Sequence, residues 1–299
     1  MYDILIVDDE PGIRTMLQDF LETNYNVESC PNAQEALEKV KKKQYNLVIS
    51  DINMPGMKGY ELLKEVEAIS PLSKTALITA YNVDDYIRLA KKHGICNIIS
   101  KTTPFNFDEV EILVKGLTSG DVFGIDKQLQ EGYEVLGDFT IKHSSESVKI
   151  RTQILEFLPI SPNEIHEVKL VLDEIMTNAI YHSAVNQSGE KKYTEYKPIQ
   201  LEPSEHVNIS IGRDDEKVCI SIMDNKGSLD KDKVLYLIDR HVNAEGILDE
   251  SGRGIFMSRL FADRIAINID PGKRTEFVIS FFLDKTKFKG YKPLYINQL

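Results

Sequence analysis

The sequence predicts an α/β protein of two domains, opening with a doubly wound parallel sheet, and three observations carry that prediction. Through Tyr2 to about Gly120, short β-branched runs (ILIV, LVIS, TALIT, NIIS) alternate with amphipathic stretches such as AQEALEKVKKK and YELLKEVEAI. Strand then helix, repeated, implies parallel strands covered on both faces. Next, TSGDVFGIDKQLQEGYEVLG breaks the pattern with several glycines and no clean periodicity, which reads as a linker able to hold a short helix. A second α/β set follows. EVLGDFTIKHSS alternates like a strand, SVKIRTQILEFLPI has helical spacing, a helix runs from about Pro162 to His182, and VNISIGR and KVCISIMD read as strands. The predicted boundaries are 1–120 for the first domain, 121–134 for the linker, 135–284 for the second domain and 285–299 for a basic, aromatic tail without an assigned role.

Composition narrows the functional classes. At 299 residues, with 42% hydrophobic and 28% charged, the chain can bury two cores and shows no sign of disorder. A formal net charge of -11 argues against direct DNA binding or an anionic membrane as partner, since both need concentrated Lys and Arg. No apolar run is long enough to span a bilayer, and the start MYDILIVDDE has neither a basic nor an apolar leader region, so a cytoplasmic location is expected. Cys30, Cys96 and Cys219 are widely spaced in apolar or strand-like settings and read as thiols rather than disulfide or zinc ligands.

Strand ends locate the first candidate site. In doubly wound sheets a site forms beyond the carboxyl ends of the strands. The residues at or just past those ends are Asp8 and Asp9, then Asp51, then Thr79, then Lys101. Clustered carboxylates repel one another unless a divalent cation neutralises them, and hard oxygen ligands favour Mg²⁺. Asp51 could then attack a phosphoryl donor, with Lys101 and Thr79 stabilising the transferred oxygens. Any one of these acids could alternatively cap the helix that follows it.

The second candidate site rests on LVLDEIMTNAIYHS, where Glu174 and Asn178 stand four apart on one helical face, a geometry suited to a metal and a phosphate. Asp224 ends a strand in SIMDNKGSLD, where a carboxylate can accept the exocyclic amine of adenine. The glycines of SGRGIFMSRLFADRI open a helix whose N-terminus could face phosphates. A Gly-x-Gly alone is also a common turn. The segment SAVNQSGEKKYTEYKPIQLEPSE between them could be a lid or a disordered insertion.

Asp8-Asp9, Asp51 within DINMPGMKG, Thr79-Ala80 and Lys101 are similar to the response-regulator receiver domain. The resemblance implies a five-stranded flavodoxin/CheY-like sheet, Asp51 as phosphoacceptor, Mg²⁺ held by Asp8, Asp9, Asp51 and Asn53, and Thr79 coupling phosphorylation to loop movement. Lys101 is followed by Thr102-Thr103-Pro104 rather than directly by proline, and Ile98 stands where the family often carries a switch aromatic; Tyr81 could gate the phosphoryl group instead. Residues 135–284 resemble the GHKL ATPases, whose fold is an α/β two-layer sandwich, and within them the anti-sigma-factor serine kinases. That resemblance implies bound ATP and Mg²⁺. Asn178 would be a metal ligand and Glu174 the general base, with Asp224, Gly227, Gly252, Arg253, Gly254 and Thr275 around the nucleotide. The family's Asp-x-Gly-x-Gly loop is here Asp224-Asn225-Lys226-Gly227, so the first glycine is missing.

The expected function is a two-component switch in which phosphorylation of Asp51 controls a serine/threonine kinase. Its expected partners are an upstream histidine kinase or phosphotransfer protein, a STAS-type anti-anti-sigma factor or a sigma factor, and, as in both families, a second copy forming a homodimer. Two alternatives stay open: a histidine-kinase-type ATPase acting on a separate protein, and an inactive ATP-binding module that captures a partner.

Overall fold

The computed structural model describes residues 1–186, 192–243, 245, 253–287 and 289–299. The chain divides into two compact units, one formed by Met1–Val122 with Lys287–Leu294 and the other by Phe123–Thr286 with Tyr295–Leu299.

The first unit holds strands β1 (Asp3–Val7), β2 (Asn26–Cys30), β3 (Leu47–Asp51), β4 (Lys74–Thr79) and β5 (Asn97–Ser100), all parallel in the order β2-β1-β3-β4-β5. Helices α1 (Pro11–Leu21), α2 (Ala33–Lys42), α3 (Gly59–Ile69), α4 (Ile87–His93) and α5 (Phe107–Ser119) connect them. The predicted doubly wound parallel sheet is therefore present, and it is CheY-like. β1 and β3 are mostly apolar because helices cover both faces, leaving Ile4, Leu5, Leu47 and Val48 with no exposure. Start and stop signals are local. Asn32 caps α2 by accepting from the Glu35 N–H at 2.9 Å, and Gly94 and Gly120, both left-handed, end α4 and α5.

The second unit holds β6 (Glu134–Ile141), β7 (Val207–Arg213), β8 (Lys217–Asp224), β9 (Arg264–Asp270), β10 (Arg274–Phe282) and, from Tyr295 on, β11 (Leu294–Gln298). Their order is β11-β9-β10-β8-β7-β6, antiparallel except for the parallel β11–β9 pair. Helices α6 (Ser147–Phe157), α7 (Ile165–Thr177), α8 (Lys231–Val242) and α9 (Arg253–Phe261) complete the unit; α9 packs on α7 and α8, and α6 on α7. The helix expected from Pro162 to His182 is α7 followed by a π-helical turn, Asn178–His182. Such turns recur at functional positions.

Two segments depart from the sequence reading. The stretch 121–134 does not behave as a spacer, because Phe123–Gln130 is packed within the second unit. The Gly124 N–H donates to both oxygens of buried Glu276, at 3.0 and 3.1 Å. The Gln130 N–H donates to Asp214, itself in a buried ion pair with Lys217 at 2.9 Å. Arg274 lies over the Phe123 ring at 3.8 Å, and a side chain at Gly212 would strike Ile125 and Leu129. Glu276 also accepts from Asn268 at 2.8 Å, and burial pushes its carboxyl above the ordinary range.

The tail is ordered as well. Its first part joins the first unit, where Thr103 and Lys289 form an isolated bridge and the Tyr291 N–H donates to Ser100 Oγ at 3.1 Å. Its last residues form β11, with Tyr295 under the Arg264 guanidinium at 4.7 Å and Gln298 Oε1 accepting the Lys231 N–H at 2.9 Å. Among the described residues no helix is long and apolar enough to cross a membrane.

Candidate functional sites

In the first unit, the ends of β1, β3, β4 and β5 bring Asp8, Asp51, Thr79 and Lys101 together. Lys101, on the residue after β5, is 93% shielded and sends its ammonium to Asp51 Oδ1 at 2.7 Å, Asp8 Oδ2 at 2.9 Å and Glu10 Oε1 at 3.1 Å. Burial alone would lower its pKa, but the Asp51 and Asp8 carboxylates outweigh that and hold it above the usual lysine value. Burial pushes the Asp8 carboxyl up, against the pull of Lys101. The second oxygen of Asp51 accepts the Asn53 N–H at 2.5 Å, while the Asn53 carboxamide donates to the Tyr86 hydroxyl at 2.6 Å. Gly59 sustains this loop, since a side chain there would overlap the Asp51 carbonyl oxygen. Thr79 is buried, and its hydroxyl accepts the Tyr81 N–H at 3.1 Å; the Tyr81 ring is 59% exposed. Asp9 is exposed.

Among the described residues no three Asp, Glu, His or Cys side chains converge on one point as a ready-made cation cage. Asp8 and Asp51 converge on the Lys101 ammonium instead. The donor set still suits a divalent cation: Asp8 Oδ2 is buried and lacks any aligned hydrogen bond, its contact with Lys101 being an ion pair only. Glu10 was not singled out by the sequence. Its only signal there is its place directly after the acidic pair.

In the second unit a cavity of roughly 170 Å³ opens beside Asn178 and Asp224 and is walled by His182, Lys233, Leu237, Ile255 and Phe277. Asn178 begins the π-helical turn after α7, and Asp224 closes β8. Asp224 Oδ1 accepts the N–H groups of Lys226 at 2.8 Å and Gly227 at 3.1 Å. Burial raises its pKa to about 6, against the lowering effect of those backbone donors. Gly227 has a positive φ of 58° and abuts the β9–β10 turn so tightly that a side chain would overlap the Asp270 carbonyl. The altered loop thus keeps the glycine that its geometry requires. Lys226 turns away from the cavity to donate to Ser204 Oγ at 3.0 Å.

Thr275 pairs across the sheet with Asp224, is 1% exposed, and has a hydroxyl without a hydrogen-bond partner. An orphaned buried hydroxyl beside a buried carboxylate suits a polar ligand that reaches both. Gly254 packs against Glu174, where a side chain would fall on Glu174 Cγ. Gly252 and the side chain of Arg253 lie outside the described residues. So does 187–191 of the predicted lid; from the rest of that segment, the Tyr196 hydroxyl lies 3.0 Å from His182 Nε2. Lys233 and Leu237 come from α8, which the sequence reading missed although Asp230, its cap, accepts the Lys233 N–H at 2.8 Å.

Gly254 provides a direct check on the Glu174 placement. Gly254→Val is expected to displace Glu174 from its packed position with a stability loss of about 1–3 kcal/mol from overpacking, and to slow any ATP-dependent transfer in which Glu174 takes part. Label transfer and thermal unfolding measured on one preparation would decide it. Full activity in the variant would mean that Glu174 does not act where it sits.

The receiver-domain family profile matches residues 4–115, and the histidine kinase-like ATPase domain profile matches residues 142–279. Sporulation initiation phosphotransferase F of Bacillus subtilis (strain 168) is 37% identical over 113 residues, covering 38% of this chain and 90% of that protein. The transcriptional regulatory protein ZraR of Klebsiella oxytoca is 38% identical over 111 residues, 37% of this chain, which spans only 25% of that relative's length. Among solved structures, the response regulator protein TrrA from Thermotoga maritima, in complex with Mg²⁺ and BeF, is 39% identical over 39% of this chain and 99% of that one, with a TM-score of 0.36. Fold, site and matches together define a receiver domain joined to a histidine-kinase-like ATPase domain. The chain belongs to the response-regulator receiver family. Receiver and ATPase domains of these kinds typically use Mg²⁺ and ATP.

Proposed function

We propose that the chain is a phosphorylation-controlled protein kinase in which Asp51 is the phosphoacceptor and the second unit, a two-layer sandwich, transfers phosphate from ATP to a serine of a regulatory partner. The observation that carries the first half is the position of Asp51, with one oxygen on the Lys101 ammonium and the other on the Asn53 N–H. An Asp51 oxygen attacks the phosphorus of a phosphohistidine, the P–N bond breaks, and the imidazole leaves with the electron pair and takes up a proton. Lys101 and the Thr79 hydroxyl offset charge on the transferred oxygens. Mg²⁺ at Asp8, Asp9, Asp51 and the Asn53 backbone supplies further neutralisation when bound.

In the second unit Asp224 and Thr275 would recognise adenine and Asn178 would hold Mg²⁺, with Gly227 and Gly254 beside the nucleotide; the family resemblance adds Gly252 and Arg253 to that set. Glu174 takes the proton of the incoming serine hydroxyl as its oxygen attacks the γ-phosphorus of ATP and ADP departs. By resemblance to anti-sigma-factor kinases the partner is a STAS-type protein or a sigma factor. A second reading, an ATP-binding module that captures its partner without phosphorylating it, is favoured by the loop Asp224-Asn225-Lys226-Gly227, which lacks one of the family's glycines.

One experiment separates the readings. The full chain is incubated with radiolabelled ATP, Mg²⁺, and STAS or histidine-phosphotransfer proteins, with and without prior phosphorylation by acetyl phosphate. The proposal expects acid-stable label on a STAS serine, lost in Glu174→Ala, with the yield changed by acetyl phosphate in wild type but not in Asp51→Asn. Acid-labile label on histidine would sink the serine-kinase reading. Partner capture without any label would favour the binding module.

A further inference from the structure

Asp51 is useful as a nucleophile only if its carboxylate is held at a fixed angle, and the two contacts that fix it are unequal. Lys101 is anchored at the end of a buried strand, with neighbouring Ser100 only 3% exposed. The other contact, the Asn53 N–H on Asp51 Oδ2, comes from the loop between β3 and α3, where Gly56 takes a positive φ of 79°. That contact is a local Asx turn, and the loop backbone is also tied by the Ile52 N–H on the Ile78 carbonyl at 3.1 Å and the Gly59 N–H on the Ile52 carbonyl at 3.0 Å, which leaves the Asn53 side chain to be fixed separately.

The Tyr86 hydroxyl fixes that side chain. It accepts the Asn53 carboxamide N–H at 2.6 Å across 33 residues of sequence, which ties the phosphoacceptor loop to the segment between β4 and α4. Tyr86 is itself well fixed. It is the last residue of a one-turn 3₁₀ helix, Val83–Tyr86, directly before α4, and its neighbours Val83 and Ile87 have no exposure at all. The turn is capped by Asn82, whose side chain accepts the Asp84 N–H at 3.2 Å. Tyr81 is not placed to do this, since its ring is 59% exposed.

We propose that Tyr86 is a positioning residue for phosphorylation of Asp51, acting through Asn53. The inference rests on Asp51 being the phosphoacceptor. Tyr86 touches neither the donor nor the reacting atoms; its hydroxyl holds the Asn53 side chain, and the Asn53 backbone in turn holds the nucleophile's second oxygen. Losing a fixed hydrogen bond of this kind is expected to slow phosphorylation about fivefold, the effect of one typical hydrogen bond.

The test uses the full chain with Tyr86→Phe, Asn53→Ala, the double variant and Asp51→Asn, each phosphorylated by acetyl phosphate and Mg²⁺ while the thermal midpoint is recorded. Tyr86→Phe should lower the rate constant at saturating acetyl phosphate about fivefold while leaving the half-saturating concentration at its wild-type value, with the thermal midpoint lowered by no more than the loss of one typical hydrogen bond. Asn53→Ala should cost at least as much, and the double variant no more than Asn53→Ala, because coupled residues are not additive. A wild-type rate in Tyr86→Phe, or losses that add in the double variant, would overturn the role of Tyr86. Equal labelling of wild type and Asp51→Asn would instead remove the phosphoacceptor reading on which that role depends.

Discussion

Lys101→Met is expected to destabilise the first unit by about 3–5 kcal/mol at pH 7, the usual cost of leaving buried charge without its partner. Asp8 has no exposure and Asp51 only 6%, and the Lys101 ammonium stands 2.9 and 2.7 Å from them. Without it, two buried carboxylates face each other. The pH dependence has a definite sign. The Asp8 carboxyl already sits above its ordinary value in the folded chain, so its ionisation opposes folding as pH rises through that range and ceases to do so below it. Removing Lys101 raises it further. The stability gap between wild type and variant should therefore be widest at neutral pH and narrow towards pH of about 4, near the ordinary carboxylate value. Mg²⁺ should close part of the gap at pH 7 by taking over the neutralising role. Urea unfolding at both pH values, with and without Mg²⁺, checks this; an equal gap at both would show that Lys101 contributes packing rather than charge.

Asp224→Asn is expected to weaken nucleotide binding about 10- to 100-fold at pH 7.5, the effect of leaving a buried donor of the ligand without its acceptor. In the ligand-free chain the same change should stabilise the fold. The Asp224 pKa rises from 3.8 to about 6 on folding, which corresponds to about 3 kcal/mol working against the folded state once the group is ionised. That penalty is absent below pH 3.8, grows as pH rises, and is complete above about 6. Asparagine keeps an oxygen for the Lys226 and Gly227 N–H groups without carrying the charge. Wild-type affinity for a non-hydrolysable ATP analogue should fall as pH drops through about 6, while the variant's affinity stays flat over that range. Calorimetric titration across pH, paired with thermal unfolding, measures both effects. Undiminished binding by the variant at pH 7.5 would take Asp224 out of the adenine site.

Residues beside a strand end were legible because the pattern that makes the strand also places its terminus. Asp8, Asp51, Thr79 and Lys101 were readable in this way, since β1, β3, β4 and β5 are short apolar runs. β2 was not. It is an edge strand, NVESC, and Glu28 within it pairs with Lys39 on α2 and with Lys43 just past its end, so its sequence is polar where the other strands are mostly apolar. β11 was hidden for another reason: it pairs in parallel with β9, on the other side of β10 in the chain, and no local period reports a parallel pairing. The short helix foreseen for the linker is present as the 3₁₀ turn Ile125–Lys127, but the packing of Phe123, Ile125 and Leu129 into the second unit escaped, because a single turn is too short to show a period. Tyr86 left no signal at all. Its importance lies in one hydroxyl that reaches Asn53 across 33 residues.

The ordered C-terminal segment also sets an order of synthesis. Residues 287–294 belong with the first unit and 295–299 with the second, although the Ser100–Thr103 backbone that the former meet was translated much earlier. Domains ordinarily finish folding one after another as they leave the ribosome, the N-terminal one first. Here the first unit lacks residues 287–294 until most of the second has been made, so the receiver is not completed ahead of it. A chain cut near Gly120 would carry the phosphoacceptor residues without the backbone that the Ser100–Thr103 turn meets in the intact protein.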